Sequence, residues 1–235
     1  MSKGIILYQS KYGATKKYAG WLVERIGYDC VETKNAKVAD LKNYDVIILG
    51  GGVYASGIAG LQFIKKNIGQ LADKKLAVFA VGASPYDKKA IMQIREMHFR
   101  NELRNIPLFY CRGAWDEEKM KFADRTLCKM LQKAVAKQNP DEYEPWQKAL
   151  MYAVGQKCDW TDKSYLEPLL KYIEELCYGG GLYEKVCVRF FNLGYDYTHS
   201  DIEWGISRIC ACISWGISTS AKWYYIKYLN LSICV

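Results

Sequence analysis

Ser10-Lys11-Tyr12-Gly13-Ala14-Thr15 decides how this chain is read. It follows, after Gln9, on Lys3-Gly4-Ile5-Ile6-Leu7-Tyr8, a short and mostly apolar run. Continuous apolar runs of that length are strands buried on both faces, the habit of parallel sheets. Beyond it, Thr15 to Ile26 sets Tyr18, Ala19, Leu22, Val23 and Ile26 at helical spacing, and Gly27 closes the helix. Helix starts leave about four amide N–H groups without acceptors, and their dipoles favour an anion. Ser10 and Thr15 add hydroxyl donors, and Gly13 permits a tight turn. The turn lacks both the Gly-Lys-Ser/Thr ending of a triphosphate loop and the pattern Gly-x-Gly-x-x-Gly, so a phosphomonoester is favoured. The competing reading is a plain turn with Thr15 as the helix cap.

The alternation continues along the chain. Strands are expected at Tyr28 to Glu32, Asp45 to Leu49 (ending in Gly50-Gly51-Gly52), Leu76 to Val81 (ending in Gly82) and Pro107 to Cys111 (ending in Gly113). Helices are expected over Gly60 to Ile68, Asp87 to Leu103, Asp116 to Ala136 and from Thr161-Asp162 to Leu176. This pattern gives an α/β chain with a doubly wound, five-stranded parallel sheet and helices on both faces. Asn139 to Trp160 reads as a surface excursion with a short helix over Trp146 to Val154, near a ligand or partner.

In such a sheet, ligands bind beyond the carboxyl ends of the strands, where strand order reverses. With strand and turn on the page, Ser10-x-Tyr12-Gly13-x-Thr15 resembles the phosphate loop of the flavodoxin family. The resemblance covers residues 1–176, and implies strand order 2-1-3-4-5 and FMN as cofactor. Within the family the chain is most similar to the flavodoxin-domain proteins that include the menaquinone-dependent protoporphyrinogen oxidases. The resemblance assigns the phosphate to Ser10, Lys11, Tyr12, Gly13, Ala14 and Thr15. It assigns one side of the flavin to Gly52, Val53, Tyr54, Ala55, Ser56 and Gly57. Tyr54 is a candidate to pack beside the ring or a half-buried loop aromatic. The other flavin-flanking loop is Gly82, Ala83, Ser84, Pro85 and Tyr86. Gly113 and Trp115 complete the set, with Trp115 lining the open side or simply sitting partly buried at a capping turn whose N-cap is Asp116.

Flavin chemistry asks little acid–base work of the protein, so no catalytic side chain is assigned. His98 sits in an expected helix and reads as structural. Cys210-Ala211-Cys212 lacks the further ligands a metal site needs, so no metal is expected. The loop at 82–86 is followed by Asp87 but also by Lys88-Lys89. Such a setting opposes a negatively charged reduced ring less, so the expected potential is less extreme than in small acidic carriers.

The formal net charge is +8. It favours acidic partners: an anionic membrane face or a substrate with carboxylates, with nucleic acid not expected. The plainer reading is a lysine-rich, soluble surface. The nine cysteines show no Cys-x-x-Cys pair, and no secretory signal precedes the first strand. Reduced thiols in a cytoplasmic protein are expected, peripheral at the inner membrane face at most. Three functions remain open: a quinone-linked dehydrogenase or oxidase resembling protoporphyrinogen oxidase, a one-electron carrier served by a redox partner protein, and a non-redox binding module.

Residues 177–235 change in character. Tyr178 to Val235 holds 12 aromatics in 58 residues, without strand–helix rhythm. Tyr178-Gly179-Gly180-Gly181 marks the joint. This aromatic and Cys-rich tail is read as a membrane-interface segment, an extra cover for the domain, or the product of a shifted reading frame or lost stop codon.

Overall fold

The computed structural model describes residues 3–54 and 57–178. Expectations for the tail therefore lie outside the described residues. The strands are β1 Gly4–Gln9, β2 Asp29–Glu32, β3 Val46–Tyr54, β4 Gly57–Ile58, β5 Lys75–Gly82, β6 Leu108–Arg112, β7 Ala114–Trp115 and β8 Cys158–Asp159. The helices are α1 Ala14–Ile26, α2 Val38–Leu41, α3 Leu61–Asn67, α4 Lys88–His98, α5 Phe122–Val135, α6 Pro145–Tyr152 and α7 Glu167–Tyr178.

The main sheet runs β2-β1-β3-β5-β6, all parallel, with β4 folded back antiparallel on β3. Counting the five long strands alone, this is the expected order 2-1-3-4-5. Alternate residues of each strand go to opposite faces. Ile5, Leu7, Ile47, Leu49, Val78 and Ala80 join Leu61, Ile64 and Ile94 from α3 and α4. Ile6, Val46, Ile48, Ala77 and Phe79 join Tyr18 and Leu22 of α1 and Leu169 and Ile173 of α7 on the other face. Burial on both faces explains why these strands are unbroken apolar runs. Helices α5 and α6 belong to neither core cluster. Helix α6 lies in the expected excursion, Asn139 to Trp160, and the capping box between Glu144 and Gln147 starts it.

Several boundaries differ from expectation. β3 does not stop before the glycines but runs through them to Tyr54. A Cβ on Gly50 would stand 2.1 Å from the Phe79 ring, and one on Gly51 would stand 2.2 Å from the Ala59 carbonyl oxygen. Those glycines make room for a core aromatic and for the returning β4. Helix α5 begins at Phe122 rather than Asp116, which instead accepts from the Glu118 N–H in an earlier turn. The last helix is preceded by a single 3-10 turn over Lys163–Leu166, capped by Asp162. The pair β7–β8 was not foreseen, because two-residue strands carry no periodicity.

Candidate functional site

β1 ends at Gln9 and α1 starts at Ala14, with Gly13 at the cap position in the left-handed region at φ 101°. The Gly13 N–H donates to Ser10 Oγ at 3.1 Å, which closes the turn. The first helical bond runs from Lys17 N–H to the Gly13 carbonyl at 2.9 Å. The amides of the first turn ahead of Lys17 thus face the turn without a helical acceptor. Ser10 uses its oxygen as acceptor and keeps its hydroxyl hydrogen to donate. Thr15 does not cap α1; it is 2% exposed inside the first turn. A Cβ on Gly13 would meet nothing within 4 Å, so the space over the turn is open. Open space, unspent amides and a free hydroxyl donor fit a phosphate group.

Lys11 and Tyr12 turn away to a different partner. Both donate to Asp124, in the first turn of α5. The Lys121 N–H also donates to the Tyr12 hydroxyl at 3.3 Å. Lys11 holds the Asp124 carboxyl below the ordinary carboxylate range, helped by Tyr12. Burial pushes the Tyr12 phenol up, and the Asp124 bond adds to it. The stretch Ser10 to Thr15 therefore offers a phosphate neutral donors, with its one lysine, Lys11, already paired.

The second predicted loop is a hairpin. Val53 pairs with Ile58 and Tyr54 with Gly57, and the tip residues Ala55 and Ser56 lie outside the described residues. Gly52 carries the Tyr54 ring: a Cβ there would stand 2.7 Å from it. Tyr54 meets Tyr12 edge-on at 6.3 Å between centroids, and the Lys11 ammonium stands 5.5 Å from the Tyr54 centroid. The first two loops thus come together through Tyr12, Lys11 and Tyr54. Burial raises the Tyr54 phenol, so it is a neutral hydrogen-bonding group at neutral pH.

The third loop is held by β6. The Tyr110 hydroxyl donates to the Ser84 carbonyl at 2.6 Å, and Arg112 Nε donates to the Ala83 carbonyl at 3.3 Å. Gly82 admits the Tyr110 hydroxyl to a position where a Cβ would be only 2.7 Å away. Tyr86 is 61% exposed, tilted against Tyr110 at 6.2 Å. Pro85 lies on the wall of a neighbouring cleft. Asp87 caps α4 through the Lys89 and Ala90 amides.

Gly113 bridges the two ends of the site. Its N–H donates to the Gly82 carbonyl at 2.7 Å, and a Cβ there would stand 3.5 Å from the Ala14 Cβ. Trp115 pairs with Cys158 across β7–β8, and its indole N–H donates to Glu117 at 3.4 Å. Sequence reasoning missed two residues. Asp124 has no motif that marks it. Thr33 has a buried hydroxyl with no hydrogen-bond partner among the described residues, 3.3 Å from where a Cβ on Gly60 would stand. Among the described residues, no three His, Cys, Asp or Glu side chains gather as metal ligands.

A sequence profile described as "Flavodoxin domain" matches residues 5–142. No curated protein matches the chain. Similar solved structures include a flavoprotein of Lactobacillus acidophilus in complex with FMN, at 22% identity and TM-score 0.32, covering 48% of this chain and 93% of that one. Oxidised flavodoxin 1 of Bacillus cereus is 17% identical with TM-score 0.32, covering 55% and 94%. The Trp repressor binding protein of Bacillus subtilis is 16% identical with TM-score 0.37, covering 47% and 85%. With its profile match over more than half of its length, the chain belongs to the flavodoxin domain family.

Proposed function

We propose that the chain is a redox flavoprotein that holds FMN over the carboxyl ends of β1, β3 and β5. In the finer reading it is a quinone-linked dehydrogenase or oxidase of the protoporphyrinogen oxidase kind. The observation that carries the FMN reading is the first turn: Gly13 at positive φ, first-turn amides without acceptors, and a Ser10 hydroxyl free to donate. FMN bound there would supply the acceptance and return of electrons.

The chain's own residues bind and shape. Ser10, Thr15 and the α1 amides take the phosphate. The hairpin with Gly52, Val53, Tyr54 and Gly57 walls one side of the ring, and Gly82 to Tyr86 the other. Gly113, bonded to Gly82, fixes the spacing between the turn and that second wall. The neutral phenols of Tyr12 and Tyr54 add no negative charge beside the ring.

Charge and surface support the quinone-linked version. The chain is basic, at +8, which suits a substrate with carboxylates and an anionic membrane holding quinone. Helix α5 shows Phe122, Leu127 and Met130 to solvent at 86%, 61% and 64% exposure, beside Lys129 and Lys133. An apolar face rimmed by lysines suits peripheral contact with such a surface. No helix among the described residues is long and apolar enough to cross a membrane. This reading puts the protein in the cytoplasm, touching the inner membrane face. The test is turnover of protoporphyrinogen by the FMN-loaded protein with a quinone as acceptor. Turnover is expected; FMN binding without turnover with any quinone would leave an electron carrier.

A further inference from the structure

Beyond the third loop, on the outer side of edge strand β6, lies a cleft of about 480 Å³. That volume is within the ordinary range of small-molecule sites. Pro85 and Arg112 line it, together with Tyr143, Lys148, Tyr152 and Trp160 and the small apolar Pro145 and Ala149. The Arg112 guanidinium lies 4.3 Å from the Trp160 ring centroid, and its Nε donates to the Ala83 carbonyl. Its two terminal nitrogens take no partner among the described residues. Lys148 belongs to no ion pair among the described residues either. No acidic side chain among the described residues lines the cleft.

A guanidinium held over an indole and tied through its Nε to a carbonyl has lost much of its freedom before any ligand arrives, and its outer edge is a fork for a paired-oxygen anion. Two unpaired cations between three aromatic rings leave positive charge that no described side chain neutralises, and an anion would do so. We infer that this cleft binds a flat conjugated anion, its acid group on Arg112 and Lys148 and its ring system among Tyr143, Tyr152 and Trp160. Carboxylate and phosphate head groups share this chemistry. The inference rests on the FMN reading only for its purpose, since Pro85 belongs to a loop assigned to the flavin and would set the ligand beside it.

The test uses the full chain, with and without added FMN, and three probes: 2-naphthoate, 2-naphthyl phosphate and the uncharged 2-naphthamide. Calorimetric titration should show either anion binding about tenfold or more tighter than the amide. Lys148→Glu, a change on an exposed face of α6, should weaken the anions by about tenfold and leave the amide and FMN uptake unchanged. Arg112→Gln should weaken the anions by a similar factor, with melting temperature as the check on folding. A better carboxylate than phosphate assigns the head group, and the reverse assigns the other. Equal binding of the amide and both anions, or no loss in Lys148→Glu, overturns the inference. Anion binding in a protein that takes no FMN would sink the flavin reading and keep the cleft.

Discussion

The Tyr12 hydroxyl donates to Asp124, 112 residues further along the chain. Lys11 donates to the same carboxylate, so α5 is clipped to the turn that follows β1. Tyr12 also meets Tyr54 edge-on, which carries the clip on to the β3–β4 hairpin.

Removing the clip should loosen the phosphate turn more than the fold. Asp124→Asn is expected to raise the FMN dissociation constant by about threefold to tenfold, read by flavin fluorescence titration. The effect depends on pH with a defined sign. Lys11 lowers the Asp124 carboxyl, so its contribution exists above the ordinary carboxylate range and fades as pH falls through the lowered value. The Tyr12 phenol is raised, so its share is fully present below the ordinary phenol value and is lost as pH climbs through the raised one. Wild type and Asp124→Asn should therefore differ in melting temperature at neutral pH and converge in acid.

Gly13 tests backbone geometry apart from space. Nothing lies within 4 Å of a Cβ there, yet φ is 101°. Gly13→Ala should cost about 1–2 kcal/mol in denaturant unfolding, from the left-handed backbone alone. Ser10→Ala leaves the Gly13 N–H without its acceptor and should weaken FMN binding more than it lowers stability.

Asp159 ties the β7–β8 pair to α1. Burial works against its ionisation, yet hydrogen bonds from Thr161 and Lys17 hold its carboxyl down at about 2. A lowered carboxyl stabilises the fold above its ordinary value of 3.8 and stops doing so as pH falls toward 2. Asp159 is 57% exposed, so solvent screening keeps the expected loss in Asp159→Asn to at most about 1 kcal/mol at pH 7. Equal destabilisation at pH 7 and at pH 2, measured by urea melts, would contradict this account.

The flavin surroundings bear on potential. The third loop is followed by Asp87 and then Lys88 and Lys89, with Arg112 bonded to the Ala83 carbonyl. Added positive charge favours a reduced, negatively charged ring. Potentiometric titration should give a second-electron potential less negative than that of small acidic flavodoxins. Arg112→Gln should move it further negative.

Strand and loop positions were legible because parallel strands buried on both faces leave unbroken apolar runs. Ile5 to Leu7, Val46 to Leu49 and Ala77 to Val81 all show this. The turn at Ser10 to Thr15 was legible because a glycine and two hydroxyls abut a helix start. The continuation of β3 through Gly50 and Gly51 was not, since the reason lies in Phe79 and Ala59, which are close only after folding. Asp116 looked like a cap by residue type, but the turn it forms with Glu118 ends before α5 begins. Asp124 carries no local signal at all, because its partners belong to the opposite end of the domain. The Arg112–Trp160 stack was hidden for the same reason.

The turn at Ser10 to Thr15 and the loops beside it are built to hold FMN. The absorbance spectrum of the purified full-length protein, with the mass of any cofactor released from it, tests this most directly. The account predicts the bands of oxidised flavin and the mass of FMN, with uptake of added FMN lost on Gly13→Ala combined with Ser10→Ala. A colourless protein that takes up no added FMN would contradict it.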